Sequence, residues 1–187
     1  MSRRLRIISG NAGSLPLKVP AGNIRPTTDA MRETLFASLA SAIQGARFAD
    51  LYAGSGAVGI EALSRGAKLV VFVDSDPHCT KVIRTNLANT NLSEGGVVVR
   101  GRLPTVWTEL ARAYGPFGIV FVDPPYDSVD LPQLAEQLIV SQEGVTQEGI
   151  VVIQHDRGES VLHGIEPDKV KRFGQSRLDF YYLGASE

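Results

Sequence analysis

From residue 48 to residue 154 the chain alternates short, almost wholly apolar runs with glycine-punctuated turns and helical stretches, and this alternation restricts its fold more than any other feature. The runs at 48–52, 69–74, 97–100, 118–123 and 150–154 read as strands, and the stretches at 58–64, 77–89, 104–114 and 131–140 as the helices between them. Strands this uniformly apolar are buried on both faces, which is the habit of a mostly parallel sheet covered by helices on each side. Residues 170–173 and 178–183, around Gly174-Gln175, read as a closing antiparallel pair. Upstream, 5–9 and 15–19 flank the turn-rich Gly10-Asn11-Ala12-Gly13 and predict a small hairpin. After Pro26, Thr27-Thr28-Asp29 supplies N-cap chemistry, and Met31, Leu35, Leu39 and Ile43 follow at a spacing of four as one stripe of a helix ending near Gly45. The expected organisation is a hairpin extension over 1–24 and one α/β domain over 25–187.

Composition excludes several classes. With 43% hydrophobic and 21% charged residues, a chain of 187 residues is an ordinary globular domain. No apolar run nears the roughly 18 residues of a membrane span, and Ile7-Ile8 after the basic start is too short for a signal peptide. Cys79 is the only cysteine, so a disulfide framework or thiolate metal cluster is not expected, no metal is assigned, and the cytoplasm is the default compartment. The net charge of −1 does not announce a nucleic-acid partner. Basic residues nonetheless gather at 3, 4, 6, 18, 25 and 32, and again at Lys169, Lys171, Arg172 and Arg177. A local basic face and ordinary solvated charge both fit that distribution.

In open α/β sheets ligands bind beyond the carboxyl ends of the strands. After the first strand, Gly54-Ser55-Gly56-Ala57-Val58-Gly59 forms a G-x-G-x-x-G turn, where side chains would keep a ligand from the backbone. Asp74, 20 residues after Gly54 and followed by Ser75, is placed to accept from ribose hydroxyls. Either a dinucleotide or S-adenosylmethionine suits that pair, and glycines that serve only packing are the plainer alternative. Asp50 tilts the choice. A carboxylate before the turn repels a pyrophosphate but suits the ammonium of a methionine moiety, although alone it also fits a loop cap. Gly101-Arg102 follows the third strand.

After the fourth strand comes Asp123-Pro124-Pro125-Tyr126. The prolines fix φ and lack N–H donors, so the loop is stiff. An amino group on a base is a poor nucleophile because its lone pair is delocalised into the ring. The Asp123 carboxylate and the Pro124 carbonyl can each accept one of its N–H groups, drawing the nitrogen toward tetrahedral geometry in line with a sulfonium carbon. Tyr126 offers a face on which an extruded base can stack. As an isolated tetrapeptide the same residues form a turn. His78, His155 and His163 have no metal spacing, and His155 reads as a satisfied loop histidine that follows the fifth strand. Cys79 reads as an inert, partly buried thiol, and Trp107, Phe180, Tyr181 and Tyr182 as core.

With these motifs in order, the chain resembles the bacterial 16S ribosomal RNA guanine-N2 methyltransferases of the RsmD type. The matching segments are Arg6 to Gly10, Arg25 to Phe36, Asp50 to Gly56, Glu61 to Ala67 and Asp123 to Tyr126. The resemblance implies a Rossmann-like class I methyltransferase with a mostly parallel seven-stranded sheet, its sixth and seventh strands forming an edge hairpin. It also implies S-adenosylmethionine as donor and a guanine N2 in 16S rRNA of an assembled or assembling 30S subunit as acceptor; no membrane partner and a monomer are expected alongside. Carried over by position, Gly54, Gly56 and Gly59 cradle the cofactor with Ser55, Asp50 lies near its methionine end, and Asp74 and Ser75 meet its ribose. Asp123, Pro124, Pro125 and Tyr126 hold the guanine, while Arg25, Thr27, Thr28 and Arg32 flank the mouth toward RNA phosphate or cofactor carboxylate. One departure stands out. Where the family presents an aspartate to the adenine amino group, this chain has Gly101-Arg102-Leu103, and Arg102 has no acceptor. Adenine N6 of DNA or RNA as the methyl acceptor, a nicotinamide-dependent dehydrogenase, and a non-catalytic ribosome-assembly factor remain the alternatives.

Overall fold

A computed structural model describes residues 5–20, 28–125, 128–156 and 158–184. Seven strands form one sheet: β1 (Arg47–Leu51), β2 (Leu69–Asp74), β3 (Gly96–Arg100), β4 (Phe117–Val122), β5 (Val145–His155), β6 (Lys169–Phe173) and β7 (Ser176–Tyr182). Their spatial order is β3-β2-β1-β4-β5-β7-β6. The first five run parallel, with Asp50 opposite Phe72 on one side and Phe121 on the other, and β7 turns antiparallel to both β5 and β6. The helices are α1 (Asp29–Ser38), α2 (Ala57–Ser64), α3 (Pro77–Asn89), α4 (Trp107–Tyr114) and α5 (Leu131–Ala135), the last running on into a π-helical turn, Glu136–Val140.

The alternation of side chains along each strand explains why both faces are covered. Phe48, Phe72, Ile119, Phe121 and Val152 pack against α1, α2 and α3 through Leu35, Phe36, Ile60, Leu63 and Ile83. The intervening Leu51, Val71, Val120, Val122 and Ile153 pack against Trp107, Leu110, Leu134 and Leu138 on the opposite side. Trp107, Phe180 and Tyr181 are buried as core, and the Trp107 indole donates to the Glu143 carbonyl at 2.9 Å. No helix of the described residues is long and apolar enough to cross a membrane.

Several boundaries differ from expectation. Residues 103–106 form a turn, so α4 begins at Trp107 rather than at 104. Strand β5 begins at Val145, five residues before the apolar run, because Val145 pairs with Phe117 ahead of a register shift. The Met31 stripe is buried as predicted, but α1 stops at Ser38, and Ile43 reaches the core from a turn. The upstream hairpin is reduced to one bridge, Arg6 to Pro16, flanked by hydrogen bonds from Ile7 N to Leu15 O (3.0 Å) and from Leu17 N to Leu5 O (2.9 Å). Its backbone bonds are directed instead at α2: Asn11 N donates to Ser64 O at 2.8 Å and Ala12 N to Ser64 Oγ at 3.0 Å. Gly10 is required there, since its φ is +87° and an added Cβ would sit 2.0 Å from the Ser64 carbonyl oxygen. The far end of the segment is held by the buried Asn86, whose amide accepts from Lys18 N (2.8 Å) and donates to Lys18 O (2.9 Å) and Ser55 O (3.0 Å).

Arg32 is a correction. Rather than flanking a cleft, it is fully buried, donating to Glu61 at 3.2 Å, Asp29 at 2.7 Å and the Arg6 carbonyl at 2.8 Å. Glu61 is equally buried and also accepts from Arg65 and from Ile8 N. Asp29 and Arg32 from one of the segments that mark the resemblance, and Glu61 and Arg65 from another, thus meet in a buried ion network that fastens the upstream segment, α1 and α2 together.

Candidate active site

Strands β1 and β4 lie side by side, yet α2 leaves β1 toward one face of the sheet and α5 follows β4 on the other. The chain therefore opens a crevice at their carboxyl ends, the switch point at which open α/β sheets take ligands. A cavity of about 620 Å³ fills it, within the usual range for cofactor sites. The ends of β1, β2, β4 and β5 line it, together with Gly101, Arg102 and Leu103 after β3.

Asp50 lies at its floor, buried, with Oδ2 accepting from Gly59 N at 2.9 Å. Burial, then the nearby Asp123 and Asp74 carboxylates, push its pKa well above the ordinary carboxylate range, against the pull of the Gly59 bond. A cation in the cavity would relieve that arrangement. Asp74 ends β2 with Oδ2 accepting from Gly54 N (2.8 Å) and Oδ1 from Asp76 N (2.9 Å). Two backbone amides thus orient the carboxylate while each oxygen keeps a further acceptor position. Gly54 has φ +55°, and it lines the cavity with Ser55 and Ser75.

The other two glycines are not among the residues that line the cavity, and each has a visible backbone task. Gly56 opens α2 in the left-handed region at φ +75°. Gly59 lets α2 approach the sheet, for a Cβ there would lie 2.3 Å from the Phe72 ring and 2.8 Å from Val70. Its amide orients Asp50. Tyr52 is a residue that sequence reasoning missed. It lines the cavity at φ +60°, an uncommon conformation for a residue with a Cβ and one that clusters at functional sites.

After β4, Asp123 N donates to Leu51 O at 3.2 Å, which fixes the start of the loop against β1, and Asp123, Pro124 and Pro125 line the cavity. Tyr126 lies outside the described residues, as do Arg25 and Thr27. Thr28 caps α1, its Oγ1 accepting from Met31 N at 3.3 Å, and does not line the cavity, and neither does Arg32. Gly101 N donates to Asp74 O at 3.1 Å, and Arg102 sits exposed at the rim. Cys79 is buried beside the site, its thiol pushed up to about 12 by burial and then by Asp74 and Asp76.

At the end of β5, Gln154 and His155 also line the cavity. His155 is not a loop residue. It is the last residue of β5, buried, with Nε2 2.9 Å from Asp179 Oδ2 on β7. Its position after an apolar run was the available signal; the partner on a distant antiparallel strand was not. No group of three or more His, Cys, Asp or Glu among the described residues is placed to hold a metal ion.

Sheet order, switch-point cavity and an acidic residue at the end of each of β1 and β2 together define the class I methyltransferase architecture. An RNA methyltransferase of Salinibacter ruber, solved with S-adenosylhomocysteine, shares this fold at a TM-score of 0.65 and 18% identity, over 87% of this chain and 96% of its own. A model of the family described as "Conserved hypothetical protein 95" matches residues 5–182. Ribosomal RNA small subunit methyltransferase D of Escherichia coli K12 is 34% identical over 163 residues, covering 81% of this chain and 80% of its own. The hypothetical protein TTHA0928 of Thermus thermophilus superposes with a TM-score of 0.81 at 31% identity, over 95% of this chain and 98% of its own. The chain belongs to this RsmD-type family.

Proposed function

We propose that the chain transfers a methyl group from S-adenosylmethionine to the exocyclic N2 of a guanine in 16S rRNA, presented by an assembled or assembling small subunit. The observation that carries this reading is one cavity in which Asp50, Gly54 and Asp74 stand on the β1–β2 side and Asp123-Pro124 on the β4 side. When bound, S-adenosylmethionine supplies an electrophilic methyl on a sulfonium. Asp50 suits its ammonium, since a cation there offsets the desolvation and repulsion that Asp50 bears. Asp74, held by two amides, accepts from the ribose hydroxyls. With Arg102 unable to accept, the adenine amino group is left to backbone atoms or to a different side chain.

Asp123 and the Pro124 carbonyl accept the two N–H groups of the guanine amine, turning its lone pair toward the sulfonium side of the cavity. Methyl transfer to that nitrogen would leave S-adenosylhomocysteine, and the proton the amine then loses would pass to the Asp123 carboxylate that already accepts from it, and from there to solvent. Tyr126 stacks on the base, and Arg25 and Thr27 are the remaining candidates for RNA contact from the segment before α1. The buried Asp50 argues against a dinucleotide, whose pyrophosphate it would repel.

Purified protein, labelled S-adenosylmethionine and undermethylated 30S subunits, followed by digestion to nucleosides, test the proposal. Label is expected in N2-methylguanosine, and its recovery in N6-methyladenosine would reject the substrate. Asp123→Ala should lower the rate by roughly a hundredfold or more while the fold is retained. Undiminished methylation by that variant would remove Asp123 from the chemistry.

A further inference from the structure

The strand order divides the cavity. The residues suited to the cofactor stand at the ends of β1, β2 and β3, and Asp123 at the end of β4 marks the junction. The next strand outward is β5, and Gln154 and His155 at its end line the cavity on that side. Two buried side-chain acceptors there, Gln154 Oε1 and His155 Nδ1, have no hydrogen-bond partner among the described residues. A buried polar atom with no partner is destabilising, and one on a residue that lines a ligand cavity points to a partner supplied by the ligand.

The state of His155 follows from what lies behind it. Asp179 is fully buried and accepts from Arg177 Nε at 2.6 Å, while Arg177 also donates to the Gly158 carbonyl at 2.9 Å. The Asp179 charge is thus already matched by a guanidinium. A carboxylate only accepts, so His155 Nε2 carries the proton that meets Asp179 Oδ2, and Nδ1 presents a lone pair. Arg177, Asp179 and His155 form a relay from β7 to β5 that fixes the tautomer and orientation of the ring.

Resting on the guanine reading above, we infer that His155 determines the base: its Nδ1 accepts the ring N1–H of the guanine whose amine is held at Asp123. Beside its exocyclic amine guanine carries an N1–H donor, and adenine carries an N1 lone pair. A fixed acceptor pairs with the first and repels the second. Asp179 and Arg177 act through His155 as positioning residues.

Two near-isosteric variants separate this role from a structural one. Gln in place of His155 keeps an N–H where Nε2 meets Asp179 and loses the acceptor at Nδ1. Asn keeps an acceptor at the Nδ1 position and loses the contact with Asp179. With undermethylated 30S subunits, His155→Gln should lower kcat/KM for the RNA by roughly tenfold to a hundredfold, the value of one specific base contact. Its KM for S-adenosylmethionine and its melting temperature should stay near wild type. His155→Asn should recover much of the RNA kcat/KM despite a lower melting temperature. If His155→Gln methylates as wild type does while His155→Asn is the impaired variant, the ring is structural and the inference fails. Product from the wild-type enzyme keeps the two readings apart. N2-methylguanosine with an unimpaired His155→Gln overturns only the role of His155, whereas N6-methyladenosine overturns the guanine reading and this inference with it.

Discussion

Asp50 is held against its own preference. Its carboxyl is buried, faces two other carboxylates and keeps one amide bond from Gly59. Because its pKa is raised in the folded chain, the folded state holds that proton to higher pH than the unfolded state. Its contribution is therefore most favourable below the unfolded value and is lost as pH rises through the folded one. Asp50→Asn, whose amide oxygen can still accept from Gly59, should melt above wild type at pH 8, with the gap closing toward pH 4. The same variant should bind S-adenosylhomocysteine roughly tenfold to a hundredfold more weakly, the value of a charged hydrogen bond. Calorimetry across that pH range checks both halves, and a variant that melts no higher at pH 8 would contradict the account. Cys79 gives a second test at this scale. A buried thiol pushed up to about 12 leaves little thiolate at pH 8, so iodoacetamide should label it far more slowly in the native protein than in urea. Equal labelling rates would mean that the thiol is exposed.

The β1–turn–α2 unit carries more than a ligand contact. Gly59 brings α2 against Phe72 and Val70, and the amide of that same residue positions Asp50. Gly59→Ala should push the helix off the sheet at a cost of about 1–3 kcal/mol, or roughly 2–4 °C of melting temperature per kcal/mol, and should weaken S-adenosylhomocysteine binding through the displaced Asp50. A variant that melts and binds like wild type would show that the contact relaxes freely. Elements of this kind were legible in the sequence wherever pattern and local chemistry agreed. Strand β2 and helix α3 have the expected bounds, and Asp76 caps α3 as a residue before Pro77 should. What was hidden depends on partners far along the chain. Arg32 looks like a surface charge until Glu61, 29 residues away, is placed beside it. Gly59 looks like part of a cradle until α2 is laid on β2. His155 looks like a loop histidine until β7 comes back antiparallel with Asp179. Conversely, Asp50, Gly54, Asp74 and Asp123 were legible because strand ends in this architecture converge whatever the side-chain details.

Across the whole molecule, the upstream segment is bound into the domain rather than appended to it. Ile7, Ala12 and Leu17 join the core, and the Ile8 amide completes the donors around the buried Glu61. The far end of the segment is held by Asn86, which grips both backbone groups of Lys18 and, with the same amide, the carbonyl of Ser55 in the glycine turn. Releasing Lys18 strips that amide of two bonds and loosens the third, so the beginning of the chain and the nucleoside pocket open as one cooperative unit. Amide hydrogen exchange at Lys18 should accordingly slow by about a hundredfold when S-adenosylhomocysteine is present at about 100 times its Kd; exchange indifferent to ligand would mean that the two regions fluctuate separately. A molecule latched in this way ties the occupancy of its pocket to the backbone at Lys18, some distance from the guest itself.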